Sequence, residues 1–185
     1  MRQKRSPQGG VVSFDYQPVL KGNLVHIRPL RFGDYDDLFA VAADPVIWEQ
    51  HPVKNRYEEF VFQTFFRESL ASGGALLVLD ASSDRAIGSY RFHGYSREDS
   101  EVEIGWTFLA RSYWGGKCNG EVIELMLRHA FKFVNSVVYL VAPTNVRSQR
   151  SIEKIGGTRV ASRPDASGLE SYVYQIEAST PRPKV

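Results

Sequence analysis

A glycine-rich turn between an apolar strand and a long helix contains the residues best suited to do chemistry. It reads Trp114-Gly115-Gly116-Lys117-Cys118-Asn119-Gly120, and a helical pattern follows from Glu121 to Val134. Glycine lets the backbone approach a ligand closely, and the start of a helix presents N–H groups and the positive end of the helix dipole. The turn therefore predicts a site for a phosphate or pyrophosphate. The alternative is a glycine turn that serves only the fold.

The elements on both sides of the turn have one apolar face each. The strand that begins at Glu101 alternates, with Val102, Ile104, Trp106 and Phe108 on one face and Glu103, Gly105 and Thr107 on the other. The helix has apolar residues at positions 122, 125, 126, 130, 133 and 134. This spacing is typical of a helix packed on a sheet, and the strand should keep one polar face.

Composition narrows the classes of protein and partner. With 185 residues we expect one domain, residues 19–178, between a flexible arm at 1–18 and a flexible tail at 179–185. A net charge of +2 is too small to predict a nucleic-acid partner. The single cysteine, Cys118, excludes an internal disulfide, and four scattered histidines show no metal spacing, so we expect no metal. Without a signal-peptide core or a membrane-length apolar run, the expected location is the cytoplasm, with no membrane partner.

The predicted strands and helices follow one another along the chain in the order βααβββαβαββ. The predicted strands are 24–28, 75–79, 86–95, the strand from Glu101, 137–142, 158–161 and 169–177, and the predicted helices are 34–43, 56–72, 121–134 and 145–155. Three consecutive strands with short connections predict an antiparallel meander. The helix after the strand from Glu101 predicts a crossover to the next strand, so the fold class is α/β (α+β) with a mixed sheet.

Four stretches of the chain form a recognisable set: Leu20 to Leu30, Glu103 to Trp106, Tyr113 to Gly116 with Glu121, and Asn145 to Ser148 continuing to Gly156. In this order they resemble the GNAT superfamily of acyl-CoA-dependent N-acetyltransferases, specifically the branch that includes the ribosomal-protein alanine acetyltransferases. Together they cover roughly residues 20 to 177. The resemblance implies a mostly antiparallel sheet of about seven strands, splayed between the fourth and fifth, with helices on both faces.

The resemblance also implies acetyl-CoA as the co-substrate, with its pantetheine arm in the splayed gap and its pyrophosphate on residues 115 to 120. The implied contacts are Trp106, Thr107, Phe108, Trp114, Gly115, Gly116, Lys117, Asn119, Gly120, Asn145 and Arg150. The chain departs from the family loop because Lys117 and Asn119 stand where small residues are usual. Asn145 is also a good helix N-cap, and Arg147, Arg150 and Lys154 equally fit a solvated basic face.

Acetyl transfer needs a neutral amine, an oxyanion stabiliser and a proton for the leaving thiolate. Glu103, on the polar face of the co-substrate strand, is the candidate base, and Glu101 is the weaker one. Backbone N–H groups from Trp106 to Phe108 would polarise the thioester carbonyl. Many relatives carry a tyrosine acid seven residues after the asparagine, but this position is Ile152, so Ser148 or water would supply the proton. Cys118 is expected to be a bystander.

The acceptor side falls to the connection between the first two helices and to a neighbouring strand. The expected substrate-binding residues are Trp48, His51 and Tyr90. The expected activity is transfer of acetyl from acetyl-CoA to a primary amine, on a small molecule or a protein N-terminus, by direct attack in a ternary complex. A non-catalytic acyl-CoA-binding sensor or interaction module on the same fold is the alternative. If the chain self-associates, a homodimer is the common closed form.

Overall fold

The centre of the protein is one sheet of eight strands. A computed structural model describes residues 13–165 and 167–181. The strand order is β1-β2-β3-β4-β5-β6-β8-β7. The strands are β1 Leu20–Lys21, β2 Val25–Pro29, β3 Ala75–Asp80, β4 Ala86–Ser96, β5 Glu101–Leu109, β6 Ser136–Val141, β7 Thr158–Pro164 and β8 Glu170–Glu177. The predicted mixed, mostly antiparallel sheet is confirmed. Its extra strand is β1, because two residues are too short to show a period in the sequence.

Helices cover both faces of the sheet, as predicted. In the described ranges they are α1 Tyr35–Ala42, α2 Glu59–Ala71, α3 Lys117–Ala130 and α4 Val146–Lys154. Leu38 of α1 and Phe62 of α2 belong to one apolar cluster, whereas Met126 of α3 and Ile152 of α4 belong to another. We call these two sides the α1/α2 face and the α3/α4 face. None of these helices is long and apolar enough to cross a bilayer.

The sheet opens between β5 and β6, which are parallel and paired over three residues only. Glu101, Val102 and Glu103 pair with Ser136, Val137 and Val138. All other neighbouring strands are antiparallel. Beyond Glu103, β5 separates from β6 while it stays paired with β4 as far as Leu109. The predicted splay and the predicted crossover are therefore confirmed.

A bulge in β5 overturns the predicted alternation of that strand. Trp106 has a φ of +50°, and two residues, Trp106 and Thr107, stand opposite the single residue Tyr90 of β4. An extra residue exchanges the two faces of a strand. Val102 and Ile104 consequently pack on the α3/α4 face, whereas Trp106 and Phe108 pack on the α1/α2 face.

Helix α3 begins and ends earlier than its apolar pattern predicted. It runs from Lys117 to Ala130 instead of 121–134, because Gly116 takes the extended N-cap conformation and Phe131 ends the helix. The Glu121 carboxylate, one turn into the helix, accepts the N–H groups of Asn23, Leu24 and Val25 at 2.9, 2.7 and 2.9 Å. This contact fixes the start of α3 to the turn between β1 and β2.

Residues 13–18, the described part of the predicted arm at 1–18, pack against the domain. Phe14 is 5% exposed and packs edge-on against Phe92, with ring centroids 5.1 Å apart. The Asp15 carbonyl accepts a hydrogen bond from His129 Nε2 at 2.7 Å, and the Tyr16 hydroxyl accepts the Tyr95 N–H at 3.0 Å. Residues 13–18 thus belong to the domain, because their aromatic rings extend its core. Residues 1–12 and 182–185 lie outside the described ranges.

Candidate active site

The N-terminus of α3 forms a cradle of backbone N–H groups. Gly115 has a φ of +68°, a conformation that suits glycine, and Gly116 is the N-cap, with no side chain capping the helix. A Cβ added at either glycine would meet no atom within 4 Å, so both residues border open space. The first N–H groups of a helix have no intrahelical partner. This arrangement fits a pyrophosphate, which the N–H groups from Lys117 to Gly120 would hold.

Lys117 and Trp114 lie on either side of the two glycines. Lys117 is the first helical residue and is exposed, so its ammonium can approach an anion in the cradle as a point charge. Lys117, which stands where the family loop usually has a small residue, therefore lies in the first turn of α3 and leaves the cradle open. Trp114 is half-buried, and its Nε1–H donates to the Leu109 carbonyl at 2.9 Å, which fixes the indole at the end of β5.

Asn119 is tied to the protein by its side chain. Its Oδ1 accepts the Tyr90 hydroxyl at 2.5 Å, and its Nδ2 donates to Ser151 Oγ at 2.9 Å. Both functional atoms of the amide are thereby used. Of the contacts predicted for Asn119, the backbone N–H in the first turn of α3 is the group that stays available to a phosphate.

Tyr90 lies on the opposite side of the sheet from the other residues predicted to bind the acceptor. It is 4% exposed within the α3/α4 cluster, and burial raises its pKa far above the usual value. The structure thus separates Tyr90 from Trp48 and His51, and it gives the tyrosine the task of holding Asn119. The sequence could not show this, because the β5 bulge decides which β4 and β5 residues share a face.

The start of α4 stands beside the gap. Asn145 is the N-cap, and its Oδ1 accepts the Ser148 N–H at 3.2 Å. Ser148 is half-buried in the first turn, and Arg150 is exposed. The N-cap role of Asn145 is therefore present in the structure, and a contact with the co-substrate stays a prediction for all three residues.

The β5 bulge lies at the gap. From Ile104 onward β5 has no strand partner on the β6 side within the described chain, so N–H groups there are open to a ligand. The positive φ of Trp106 is rare for a residue with a side chain and re-aims the local backbone. Trp106, Thr107 and Phe108 lie along this part of β5, and polarisation of a carbonyl by their N–H groups stays a prediction.

Glu103 lies on the α1/α2 face at the last residue pair before the gap opens. Its cross-strand neighbour is His93, and Arg91 stands opposite Gly105 on the same face. Burial is the main cause that raises the pKa of Glu103 to about 7, with Asp165 and Glu101 adding to the rise and Arg163 and Arg91 opposing it. A carboxyl group with this pKa is partly ionised near neutral pH, so it can accept and return a proton there.

Trp48 and His51 lie together on the α1/α2 face. Trp48 is 1% exposed, donates its Nε1–H to the Ala42 carbonyl at 2.7 Å and packs on Phe108. It therefore supports the acceptor side from within the core. The Val53 N–H donates to His51 Nδ1 at 3.0 Å, and His51 Nε2 lies 3.1 Å from Arg56 Nη1. Burial together with the Arg56 charge lowers the pKa of His51 to about 3. The His51 imidazole is thus neutral at physiological pH.

Arg147 joins both sides of the gap, a role that sequence reasoning missed. Its guanidinium donates to the Ile47 carbonyl at 2.8 Å and lies 4.0 Å from the centre of the Trp114 ring. Its backbone N–H donates to Gln50 Oε1 at 2.9 Å. Arg147 is therefore occupied by protein contacts and does not join Arg150 and Lys154 on a free basic face. We call these contacts the Arg147 clasp.

Other residues near the site gave weaker signals in the sequence. Arg91 interrupts an apolar strand, which could have marked it, whereas nothing in the pattern points to Arg56 or Gln50. Burial raises the pKa of the half-buried Cys118 thiol, which disfavours the thiolate. Across residues 13–165 and 167–181, no three His, Cys, Asp or Glu side chains come together as a metal site.

Comparison with known families and structures agrees with this geometry. A family model described as "Acetyltransferase (GNAT) domain" matches residues 25–158. Comparison with curated proteins gives no significant match. Among solved structures, a GNAT-family acetyltransferase from Bacillus anthracis is 21% identical with a TM-score of 0.70, and the match covers 86% of this chain and 98% of that one.

Two further structures extend the likeness. A GCN5-related N-acetyltransferase from Brucella melitensis is 16% identical with a TM-score of 0.73, covering 87% of this chain and 79% of that chain. RimJ from Mycobacterium smegmatis, solved in complex with CoA-disulfide, is 18% identical with a TM-score of 0.61, covering 83% and 82%. At these identities the likeness shows the fold.

Proposed function

The chain belongs to the GNAT acetyltransferase family, and from this premise we propose that it is an acetyl-CoA-dependent N-acetyltransferase acting on a primary amine. The family uses acetyl-CoA and acts on amine acceptors. We further propose direct attack in a ternary complex, without a covalent enzyme intermediate. The RimJ-like branch, with protein N-termini as acceptors, is one version of this proposal, and a small-molecule amine is the other. A cytoplasmic location and a homodimer stay predictions.

The observation that carries the proposal is the position of the gap between two sets of groups. The uncapped N-terminus of α3 with Gly115 and Gly116 lies on one side, and the half-buried Glu103 lies on the other. The cradle would hold the pyrophosphate, and backbone N–H groups of the β5 bulge would receive the thioester carbonyl. When bound, acetyl-CoA supplies the acetyl group as a thioester, whose C–S bond breaks as the bond to the amine nitrogen forms.

The protein's own groups manage the protons. Ionised Glu103 accepts the proton that the attacking amine gives up, directly or through a water molecule. The leaving sulfur takes a proton from the Ser148 hydroxyl or from water. Because α-amines have a pKa of about 8, an N-terminal or amino-acid acceptor is already partly neutral at pH 7. Such an acceptor needs little activation beyond the removal of its proton by Glu103.

One observation favours the non-catalytic alternative. Ile152, which stands where many relatives carry a tyrosine acid, is 5% exposed in the α3/α4 cluster. The described chain therefore has an apolar side chain at this position in place of a proton donor. An acyl-CoA-binding sensor would keep the cradle and need no acid.

Calorimetry with acetyl-CoA and a turnover assay separate the two functions. The assay measures release of free thiol from acetyl-CoA with a library of amines and peptides. We expect binding, and turnover with at least one acceptor. Binding without turnover on any acceptor supports the sensor, and failure to bind acetyl-CoA overturns both functions.

A further inference from the structure

Two guanidinium groups lie on the α1/α2 face, the buried Arg91 near Glu103 and the half-buried Arg56, whose charge acts with that of Arg91. Arg91 is 6% exposed, donates from Nη2 to Ser69 Oγ at 2.6 Å, and stacks with its guanidinium carbon 4.4 Å from the centre of the Trp106 ring. Its Nε is buried without a hydrogen-bond partner. Arg56, which is half-buried, stacks 4.5 Å from the centre of Phe65, and its Nη1 lies 3.1 Å from Nε2 of neutral His51.

Neither guanidinium has a carboxylate partner within the described chain. The ion pairs found there join other residues. Glu68 acts on both arginines and Glu103 acts on Arg91, in each case without an ion-pair contact, and the charge of Arg91 opposes that of Arg56. Asp165 is no substitute, because its carboxylate accepts hydrogen bonds from Ser167 and Leu169 of its own loop. A buried charge without a partner is costly, and the guanidinium of Arg91, which uses one of its five N–H donors for Ser69 and leaves its Nε–H unpaired, fits a carboxylate well.

The sheet register places the Arg91 charge close to the proposed base. Arg91 lies on the same face as Glu103 and diagonal to it across β4 and β5, a relation in which Cα atoms are roughly 7–8 Å apart. We propose that the acceptor carries a carboxylate within a few bonds of its amine, and that Arg91 and Arg56 bind this carboxylate while Glu103 faces the amine. The inference rests on the proposed function, since it names the substrate class of the same site.

Two sources present this chemistry. One is a free amino acid with its α-carboxylate, and the other is a peptide whose first residue is Asp or Glu. The guanidinium groups recognise the shared carboxylate and amine, so the experiment must offer both sources. Each acceptor needs a partner of the same shape without the negative charge.

The test uses the full chain loaded with CoA. The probes are free amino acids with their carboxamides, and tetrapeptides beginning with Asp or Glu with their Asn or Gln counterparts. We expect calorimetry to show carboxylate probes binding about tenfold to hundredfold more tightly than their amides. Arg56→Met and Arg91→Lys should remove this selectivity, whereas Arg67→Met, an exposed arginine on α2 that contacts Thr64, should retain it.

The binding and kinetic results for the variants support or overturn the proposed carboxylate recognition. Unchanged acetyl-CoA affinity in the variants shows that they are folded, and kcat/KM should fall for carboxylate acceptors while that for amides stays constant. Equal binding of carboxylates and amides, no binding of any probe, or equal losses for both classes in Arg56→Met overturns the inference. Arg56-dependent carboxylate binding without turnover supports the inference while contradicting the proposed transfer reaction.

Discussion

The two faces of the sheet present different kinds of groups to the gap. On the α3/α4 face the available groups are backbone N–H groups, because Asn119, Tyr90 and Ser151 are bonded to one another. On the α1/α2 face the available groups are ionisable side chains, chiefly Glu103 and Arg91. A backbone cradle suits the constant part of a co-substrate, whereas side chains can change with the acceptor. The difference suggests that co-substrate and acceptor binding can be altered separately.

The substitution Glu103→Gln should produce the largest effect and should affect only the acceptor side. With a good acceptor, kcat should fall about 100-fold because the base is lost. In the native protein, burial raises the pKa of the Glu103 carboxyl group to about 7. Because the ionised form is the active one, the rate should rise with pH through about 7 and then level off. Steady-state pH profiles test this.

Glu101→Gln is the matched control for Glu103→Gln. It removes a neighbouring carboxyl group whose pKa burial also raises. It should preserve the rise in rate with pH, with a midpoint slightly below the native one because Glu101 contributes to the raised pKa of Glu103. If Glu103→Gln retains the native rate and pH profile, Glu103 is not the base. If Glu103→Gln weakens acetyl-CoA binding, the two faces do not bind the co-substrate and the acceptor independently.

Gly116→Val should affect only the co-substrate side. The new side chain would fill the open space beside the α3 N-terminus, and acetyl-CoA affinity should drop about tenfold to hundredfold. Calorimetry measures the affinity. Gly33→Val is the matched control, because a Cβ at Gly33 also meets no atom within 4 Å. Native affinity in Gly116→Val would show that the cradle lies elsewhere.

Arg147→Lys tests the connection between the faces and should have a smaller effect. Lysine keeps the charge but loses the planar group that stacks on Trp114 and bonds the Ile47 carbonyl. We expect KM to rise about threefold to tenfold for acceptor and acetyl-CoA together. Arg150→Lys, on an exposed residue of the same helix, serves as the comparison. A change in only one KM would contradict a joint role for the Arg147 clasp.

Tyr90→Phe should have the smallest effect and should appear in stability. It leaves Asn119 Oδ1 without its buried donor, so the free energy of unfolding should drop by about 1 kcal/mol in a denaturant titration. Acceptor KM should stay constant, since Tyr90 lies on the α3/α4 face. A large change in acceptor KM would return Tyr90 to the acceptor site.

Sequence reasoning succeeded where local spacing decides the backbone. The strand, helix, strand order from β5 to β6 predicted the crossover that the structure shows. The splay was implied by the resemblance to the GNAT superfamily, and the phosphate cradle stays a prediction. Sequence reasoning failed where a single residue changes which side chains share a face or where an element begins. The extra residue at Trp106 exchanged the faces of β5, and the early start of α3 moved Lys117 from a loop into a helix. Arg56 and Gln50 meet the site only through tertiary packing, so no local pattern could find them, whereas Arg91 interrupts an apolar strand and could have been marked.

The Glu121 contact makes the cradle depend on a remote position. Because the carboxylate holds the turn after β1, α3 is preorganised before any ligand arrives, and ligand binding need not supply the ordering entropy. Gly22 belongs to this arrangement, since a Cβ there would lie 2.5 Å from Glu121 Oε2. A side chain at position 22, at the edge of the sheet, would therefore displace Glu121 and weaken co-substrate binding. Residue 22 thus affects the affinity for the co-substrate without contacting it.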